Sequence, residues 1–352
     1  MIILLCLLWQ EAVYIHCCRK DHLHMNRMII LCVILLVQYS LTEAVSFKKY
    51  AGEYMHIGIG GRALAMGGAA VATVNDVTSA YWNPAGLTQA KGFQIEFMHT
   101  KQFISSIQQN YLGLSNEYDE NSTIAFSLIY LTVKDIQDSR NAAYITDQGT
   151  TRLDYSKISG FSTGDYTFLA SYGRIINDKI AVGISAKGIY RDYKVEHALG
   201  IGFDVGAKYM LIENLTLGAI LRDITTTMIS WSTGEKELIK PSLRLGASYN
   251  WNISAIDLSV QPAFDINVLF ENRQYAAQKH IGPISFDSFY GLEVGYKSII
   301  AVRAGMDDLN RFNTGIGLQI PVVRFDYTFT SFASELGDIH RISFHLDFKK
   351  IF

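Results

Sequence analysis

Apolar and polar residues alternate along the chain from about residue 163 to its end. In a β-strand, this period of two places apolar side chains on one face and polar side chains on the other. Ile180 and Val182 share one face of the first clear segment, while Gly183 and Lys187 share the opposite face. Extending the same reasoning upstream, we predict strands at 93–99, 109–116, 121–131, 164–174, 178–191, 199–210, 214–223, 241–250, 254–268, 287–297, 299–306, 312–320, 322–331 and 340–348.

The connections between these strands differ in length according to their position. Those after even-numbered strands have about five residues or fewer, whereas those after the third, seventh and ninth strands span 132–163, 224–240 and 269–286. In an outer-membrane barrel with both ends in the periplasm, every second turn is periplasmic and short, and the others can grow. A soluble antiparallel sheet also alternates, but it has no reason to sort loops by parity. We therefore predict an all-β fold, a transmembrane antiparallel β-barrel of about 14 strands in the bacterial outer membrane.

Composition agrees with a barrel. The chain has 352 residues, of which 49% are hydrophobic, 12% aromatic and only 18% charged. Beyond residue 45 there is no run of about 18 apolar residues, the length a membrane-spanning helix needs. Contact with lipid must therefore come from strands. The formal net charge of −2 gives no basic excess, so we expect no nucleic-acid partner.

The N-terminal region has the features of an export signal. Met25-Asn26-Arg27 is a basic start, Met28 to Val37 is apolar, and small residues precede a cleavage position after Ala44. The four cysteines all lie within residues 1–44, which excludes a disulfide scaffold from the remainder. The predicted organisation is an upstream segment at 1–24 preceding the true start, a signal peptide at 25–44, a plug or hatch at 45–92 and the barrel at 93–352.

Charged residues fall on the polar face of the predicted strands. A charge facing lipid would cost about 2–4 kcal/mol at mid-membrane, so these side chains should point into the lumen. Both signs are interspersed, which fits a filled, hydrogen-bonded interior or simple pairing between strands better than an ion-selective pore. The predicted lumen charges are Lys187, Asp204, Lys208, Arg222, Arg244, Asp257, Glu293 and Arg303.

No enzyme chemistry is predicted. The histidines lack metal-ligand spacing and no nucleophile motif is present, so we expect neither a metal nor a cofactor. His197 beside Glu196 and His340 near Asp338 are the only candidate acid–base pairs, and solvated loop residues explain them better. The run from Gly58 to Ala63 fits a dinucleotide fingerprint formally, but no βαβ unit surrounds it.

A family resemblance is carried by two stretches, Gly60-Gly61-Arg62-Ala63-Leu64-Ala65-Met66-Gly67-Gly68-Ala69 and Asn75-Asp76-Val77-Thr78-Ser79-Ala80-Tyr81-Trp82-Asn83-Pro84-Ala85-Gly86-Leu87. They resemble the opening of the PorV/PorQ family of outer-membrane proteins, which is related to the FadL long-chain fatty-acid transporters. The resemblance implies an N-terminal hatch followed by a fourteen-strand barrel. Its motif positions are Gly60, Gly61, Arg62, Gly67, Gly68, Asp76, Trp82, Asn83, Pro84 and Gly86.

Part of this motif can also be interpreted physically. Pro84 forces Asn83 out of the helical region, so Trp82 to Gly86 should form a rigid turn leading into the first strand. Asp76 should cap the backbone of the short helix or turn that follows it. At the other end of the chain, aromatic Phe348 and Phe352 resemble the signal that the barrel assembly machinery reads.

Three functions follow from the resemblance. We favour an accessory of protein secretion, type IX-like, that receives or scaffolds cargo or a translocon at the cell surface, because the resemblance is close and the predicted lumen charges have both signs. The alternative is FadL-like transport of hydrophobic small molecules across the outer membrane. The third is a structural barrel that scaffolds a partner protein. Outer-membrane lipid and the barrel assembly machinery are partners in every case.

Overall fold

The computed structural model describes residues 52–102, 106–271, 273, 276–331 and 337–348. The predicted upstream segment, signal peptide and cleavage position lie outside this part of the chain, and so does Phe352. Within these ranges, no helix is both long and apolar enough to cross a membrane.

Most of the described chain is antiparallel sheet. Eighteen of the twenty described strands join in one sheet, and β4 and β5 form a separate hairpin. The strands are β1 (Gln94–Gln102), β2 (Ile107–Asp119), β3 (Ser122–Asp138), β4 (Ala143–Ile145), β5 (Thr151–Leu153), β6 (Ser159–Asn177), β7 (Ile180–Asp192), β8 (His197–Ile212), β9 (Leu215–Arg222), β10 (Thr227–Trp231), β11 (Lys236–Ile239), β12 (Ser242–Tyr249), β13 (Trp251–Ile253), β14 (Leu258–Leu269), β15 (Lys279–Ile281), β16 (Ile284–Tyr296), β17 (Ile300–Met306), β18 (Phe312–Gln319), β19 (Val323–Thr330) and β20 (Ile339–Asp347).

The large sheet closes on itself as a barrel. β1 pairs with β20 along its length, from Gln94 opposite Asp347 to Lys101 opposite His340. β9 and β10 both pair with β8, one after the other, so they are two parts of one wall strand. β11 and β12 likewise follow each other opposite β10 and β9. With the short β13 and β15 belonging to connections, the wall has fourteen strands, as predicted.

The two faces of the wall differ in polarity, as the alternation predicts. Buried inward positions carry polar groups such as Glu96, Thr100 and Arg341. Large apolar side chains are exposed on the opposite face, where lipid would solvate them. Examples spread around the barrel are Phe97, Leu112, Phe126, Phe168, Ile184, Leu217, Leu245, Phe264, Leu292, Ile316 and Phe344.

The structure corrects two of the predicted long loops. β3 continues to Asp138 and β6 begins at Ser159, so the connection is shorter than the predicted 132–163. Most of the predicted loop 224–240 is the β10–β11 hairpin, which extends the wall. Apolar alternation marks a strand only where one face meets an apolar environment. The end of β3, which is mostly polar on both faces, therefore carries no such signal.

The N-terminal segment, residues 52–92, lies inside the barrel. It contains a 3-10 helix at Glu53–Ile57, the short helices α1 (Gly61–Ala65) and α2 (Ser79–Trp82), and a second 3-10 helix at Pro84–Gln89. Nearly every residue between positions 58 and 90 is buried. The segment therefore has the wall as its surroundings rather than solvent.

The end of the described chain lies at the seam of the barrel. The backbone N–H of Phe348 donates to the carbonyl of Phe93 at 3.0 Å. The two rings lie 5.4 Å apart, centroid to centroid. Phe348 thus helps to join the start of β1 to the end of β20, and its predicted role as an assembly signal stays a prediction.

Candidate functional site in the barrel lumen

The turn at Asn83-Pro84 binds the N-terminal segment to the barrel wall. Asn83 is extended, with φ −167°, and its Oδ1 accepts from the N–H of Ala85 at 3.2 Å. Its Nδ2 donates to the carbonyl of Val71 at 2.9 Å and to that of Ala207 on β8 at 3.1 Å. The predicted rigid turn is therefore present, and it is bound both to the segment and to the barrel.

Three glycines of the wall form a platform under this turn. Gly173, Gly183 and Gly206 are direct cross-strand neighbours on β6, β7 and β8. A Cβ at Gly183 would lie 2.3 Å from the carbonyl carbon of Pro84, and one at Gly206 would lie 2.1 Å from Asn83 Oδ1. Only glycine lets the segment come this close to the wall.

Two further glycine pairs receive other parts of the segment. Gly218 and Gly246 are opposite each other on β9 and β12, and the backbone of Val71 lies against the first of them. Gly291 and Gly305 pair on β16 and β17 beneath the backbone of Met66. The sequence analysis placed such wall glycines on the polar face but missed this role.

The predicted motif glycines serve the fold of the segment itself. Gly60, Gly67 and Gly68 have φ of 78°, 64° and 81°, a region that favours glycine. The N–H of Gly61 donates to Ser343 Oγ on β20 at 2.8 Å. A Cβ at Gly86 would lie 2.6 Å from the carbonyl oxygen of Val74, within the segment.

Arg62 connects the segment to the opposite side of the wall. Its Nε and Nη2 donate to the two carboxylate oxygens of Glu293 at 2.9 and 3.0 Å. Glu293 also pairs with Arg303 at 2.5 Å, and Arg303 pairs with Asp326 at 2.6 Å. Arg62 is thus the end of a buried chain of alternating charges.

Asp76 joins the same network from a second point of the segment. Its Oδ2 accepts from Arg324 at 2.7 Å, and Arg324 also contacts Asp326 at 2.9 Å. Its Oδ1 accepts from the N–H of Thr78 at 3.0 Å, so Asp76 caps the turn that precedes α2, while the N-cap of the helix itself is Thr78. Arg62 and Asp76 therefore hold the segment through one continuous network of ion pairs.

Asp76, Glu96 and His345 are the one group of three potential metal ligands found in the described ranges. Their ligand atoms lie within 4.8 Å of one another and all three residues are buried. Arg324 contacts both carboxylates, at 2.7 Å to Asp76 and 3.3 Å to Glu96. A guanidinium already supplies the positive charge, so this cluster is an ion-pair network rather than a metal centre. The sequence analysis did not single out Glu96, Arg324 or His345, because nothing local in the sequence marks their contacts.

The predicted lumen charges are mostly inward and bound by other groups. Lys187 pairs with Asp204 at 3.1 Å and with Asp223 at 2.7 Å. Lys208 Nζ donates to the carbonyl of Val74 at 2.8 Å and to Gln89 Oε1 at 3.1 Å. These contacts link β7, β8 and the segment, so the charges stabilise the packing of the segment against the wall.

Two predicted lumen arginines stack on aromatic rings of the segment and the wall. The Arg222 guanidinium carbon lies 4.7 Å from the ring centroid of Tyr81, and that of Arg244 lies 3.7 Å from Phe289. Arg244 also pairs with Asp265 at 3.1 Å and donates to the carbonyl of Gly68. Cation–π contact and hydrogen bonding together fix these side chains in the lumen.

The prediction that Asp257 points into the lumen is wrong. Asp257 is exposed and follows the 3-10 helix Ser254–Ile256, in a turn before β14. Its φ is +50°. The predicted strand 254–268 begins too early, because Ile253, Ile256 and Leu258 imitate a strand where the chain actually turns.

An apolar cluster lies between the segment and one side of the wall. Trp82 is 3% exposed, and its Nε1 donates to the carbonyl of Ile59 at 2.9 Å. Its ring meets that of Tyr81 edge-on at 4.9 Å between centroids. The cluster consists of Ile59, Ala63, Leu64, Ala70, Val74, Tyr81, Trp82, Met98, Tyr111, Ile129 and Leu169.

Comparison with known proteins identifies the fold. No protein-family model and no curated protein sequence matches the chain. The toluene transporter TbuX of Ralstonia pickettii is similar in structure, with TM-score 0.53, 13% identity, and coverage of 82% of this chain and 98% of that one. The toluene transporter TodX of P. putida has a TM-score of 0.53 and 14% identity, with coverage of 83% of this chain and 99% of that one. The monoaromatic hydrocarbon channel CymD has a TM-score of 0.51 and 14% identity, with coverage of 83% of this chain and 98% of that one. At this identity the likeness establishes the fold, a closed barrel of the outer-membrane type.

The comparisons correct the favoured functional hypothesis. The secretion-accessory interpretation is wrong, because the similar structures reported above are hydrocarbon transporters and channels. The PorV/PorQ assignment behind it is not supported either. Lumen charges of both signs had favoured a protein-handling role. In the structure, these charges pair with one another and with the N-terminal segment.

Proposed function

We propose that this barrel lets small hydrophobic molecules cross the outer membrane, with the N-terminal segment acting as a plug. The plug would close the lumen to water and polar solutes. It would leave apolar surface along which a hydrocarbon can move. The proposal takes up the transport alternative raised by the sequence.

The apolar cluster around Trp82 carries the proposal. Most of the lumen wall is polar or charged, which suits water-soluble solutes, but the side chains packed around Tyr81 and Trp82 form an apolar and aromatic cluster. Ligand sites for hydrophobic molecules are lined mainly by such side chains. Barrels with an aqueous pore keep a polar lumen open instead.

The way the segment is held also supports a plug. Its backbone touches glycine platforms on several strands, and Arg62 and Asp76 are fixed by ion pairs. Contacts on several sides of the wall leave little room for hydrated solutes to pass. A passenger must then replace packing contacts, which an apolar molecule does at low cost because it needs no hydrogen bonds.

Uptake of a hydrocarbon tests the proposal. Cells that lack their own hydrocarbon transporters should take up radiolabelled toluene faster when they express this chain than with an empty vector. Trp82→Ala should open space inside this packed apolar cluster, so it should raise the rate for naphthalene relative to toluene. Trp251→Ala is the matched control, because Trp251 is exposed on the short strand β13. Toluene uptake no faster than with the empty vector would refute the proposal.

A further inference from the structure

Arg341 is a buried cation without a carboxylate partner. It lies on the inner face of β20 and is 2% exposed. Its Nη1 donates to Thr330 Oγ1 at 2.5 Å, but its Nε has no hydrogen-bond partner. No ion pair links Arg341 to any acidic residue that the structure describes. A buried guanidinium in this state keeps both a charge and a donor unsatisfied.

The carboxylate that hydrogen bonds connect to Arg341, that of Asp307, already pairs with another cation. Thr330 Oγ1 contacts Asn313 Oδ1, and Asn313 Nδ2 donates to Asp307 Oδ2 at 3.3 Å. Asp307 pairs with Arg311 at 2.7 Å. Two neutral side chains therefore separate Arg341 from Asp307, whose charge Arg311 already balances.

The neighbours of Arg341 leave further polar atoms without partners. Thr100 is directly opposite Arg341 on β1, and Gln109 is directly opposite Thr100 on β2. Gln102 lies two residues along the same face of β1. Thr100 Oγ1, Gln102 Nε2 and Gln109 Oε1 have no hydrogen-bond partner, and these three residues are 0%, 5% and 1% exposed. We name these four residues the Arg341 patch.

The unpartnered donors and the charge of the Arg341 patch indicate which kind of ligand it would bind. The free groups are the N–H of Arg341, the hydroxyl of Thr100, the amide of Gln102 and one acceptor on Gln109. Three donors around one positive charge suit an anion. A single cation with neutral neighbours balances one negative charge, and the burial of all four residues requires a small ion. We propose that the Arg341 patch binds a small monovalent anion of the halide type.

The Arg341 patch adjoins contacts that hold the N-terminal segment. Gln109 Nε2 donates to the carbonyl of Gly58 at 3.1 Å. Thr328, opposite Arg341 on β19, donates to the carbonyl of Gly61 at 2.7 Å. An anion here would neutralise the charge of Arg341 beside these two contacts, so it should stabilise the docked segment. This proposal does not depend on what the barrel transports.

Halide-dependent stability of the purified full-length chain provides the first test. At constant ionic strength, replacing sodium gluconate by sodium chloride or bromide should raise the melting temperature, because a ligand of the folded state stabilises it. Arg341→Met should abolish the rise. Thr100→Val, nearly isosteric, should weaken the apparent halide affinity by about tenfold, the loss of one charge-assisted contact. Arg174→Met is the control, since Arg174 is exposed on β6 and its loss should change nothing.

A crystal grown in bromide provides the second test and does not depend on how the variants fold. We expect an anomalous peak within hydrogen-bond distance of Arg341 Nε and Thr100 Oγ1. An ordered water without anomalous signal at that position would overturn the proposal. An equal halide response in wild type and Arg341→Met, or no response in wild type, would overturn it as well.

Discussion

Single glycines of the wall determine how closely the N-terminal segment can approach. Gly183 lies on the inner face of β7, where a Cβ would come within 2.3 Å of Pro84. Gly188 lies on the same strand, and a Cβ there would meet nothing within 4 Å. The two positions therefore differ in their surroundings rather than in the local conformation of the strand.

We expect Gly183→Ala to destabilise the barrel by about 1–3 kcal/mol, the usual cost of overpacking a filled interior. Gly188→Ala should change the free energy of unfolding little. Urea unfolding in lipid vesicles measures both values. Equal effects of the two substitutions would mean that the segment does not rest on Gly183.

The side chain of Asn83 should be needed to hold the Asn83-Pro84 turn against the barrel wall. Asn83→Ala leaves the carbonyls of Val71 and Ala207 without their donor, at about 1–3 kcal/mol for each buried group. Limited proteolysis of the folded barrel should then cut the segment faster. Asn116→Ala provides the control, because Asn116 is exposed on β2. Unchanged proteolysis would show that Asn83 does not fasten the segment.

Sequence reasoning reached some of these residues and not others. Asn83-Pro84 was predicted as a rigid turn because a proline restricts the residue before it. The partners Ala207 and Gly206 were not predicted, since they are more than a hundred residues away and nothing local marks the contact. The inward direction of most lumen charges followed from alternation, whereas Asp257 was misplaced by apolar residues in a turn.

At the scale of elements, α1 lies against β20 closely enough to be crosslinked to it. A Cβ at Gly61 would be 3.4 Å from the Cβ of Ser343, close to the range of about 3.5–4.5 Å found in disulfides. We expect Gly61→Cys with Ser343→Cys to form a disulfide under mild oxidation, in a chain whose native cysteines are replaced by serine. Gly188→Cys with Ser343→Cys should remain reduced. Failure of the first pair to crosslink would place α1 elsewhere.

All fourteen wall strands were predictable because one face of each meets an apolar environment. Their ends were less so, as β3 and β6 show where they continue beyond the alternating stretch. The β10–β11 hairpin was missed for a different reason: β10 has Met228 on its outer face and Ile229 and Trp231 on its inner face, so apolar and polar residues do not alternate there. The break at 223–226 includes Asp223 and Thr226 with positive φ, so the wall strand is interrupted where the sequence predicted its end.

At the scale of the whole molecule, the two rims of the barrel differ. The connections at 120–121, 178–179 and 213–214 are tight turns, whereas 139–158 contains the β4–β5 hairpin. Short turns are typical of the periplasmic rim, which predicts that both ends of the barrel chain face the periplasm. A protease site inserted at 149 should be cleaved on intact cells, and one inserted at 178 should be protected. The reverse result would invert the orientation.

The fold could be predicted from sequence, but the favoured function could not. The glycine-rich stretch from Gly60 to Leu87 encodes a segment that packs inside a barrel, and this requirement does not depend on what the barrel handles. A fold of this kind can serve several functions, so function must be argued from the lumen. There, the charges that suggested a protein partner are internal ion pairs, and the apolar cluster favours a hydrophobic passenger.

Selectivity between apolar and polar solutes tests the central claim most directly. Uptake of radiolabelled toluene and of a small sugar should be measured in the same cells, with and without the barrel. A plugged lumen with an apolar cluster predicts faster toluene uptake and unchanged sugar uptake. Faster entry of the sugar, with no effect on toluene, would show an open aqueous pore and would contradict both the plug and the transport proposal.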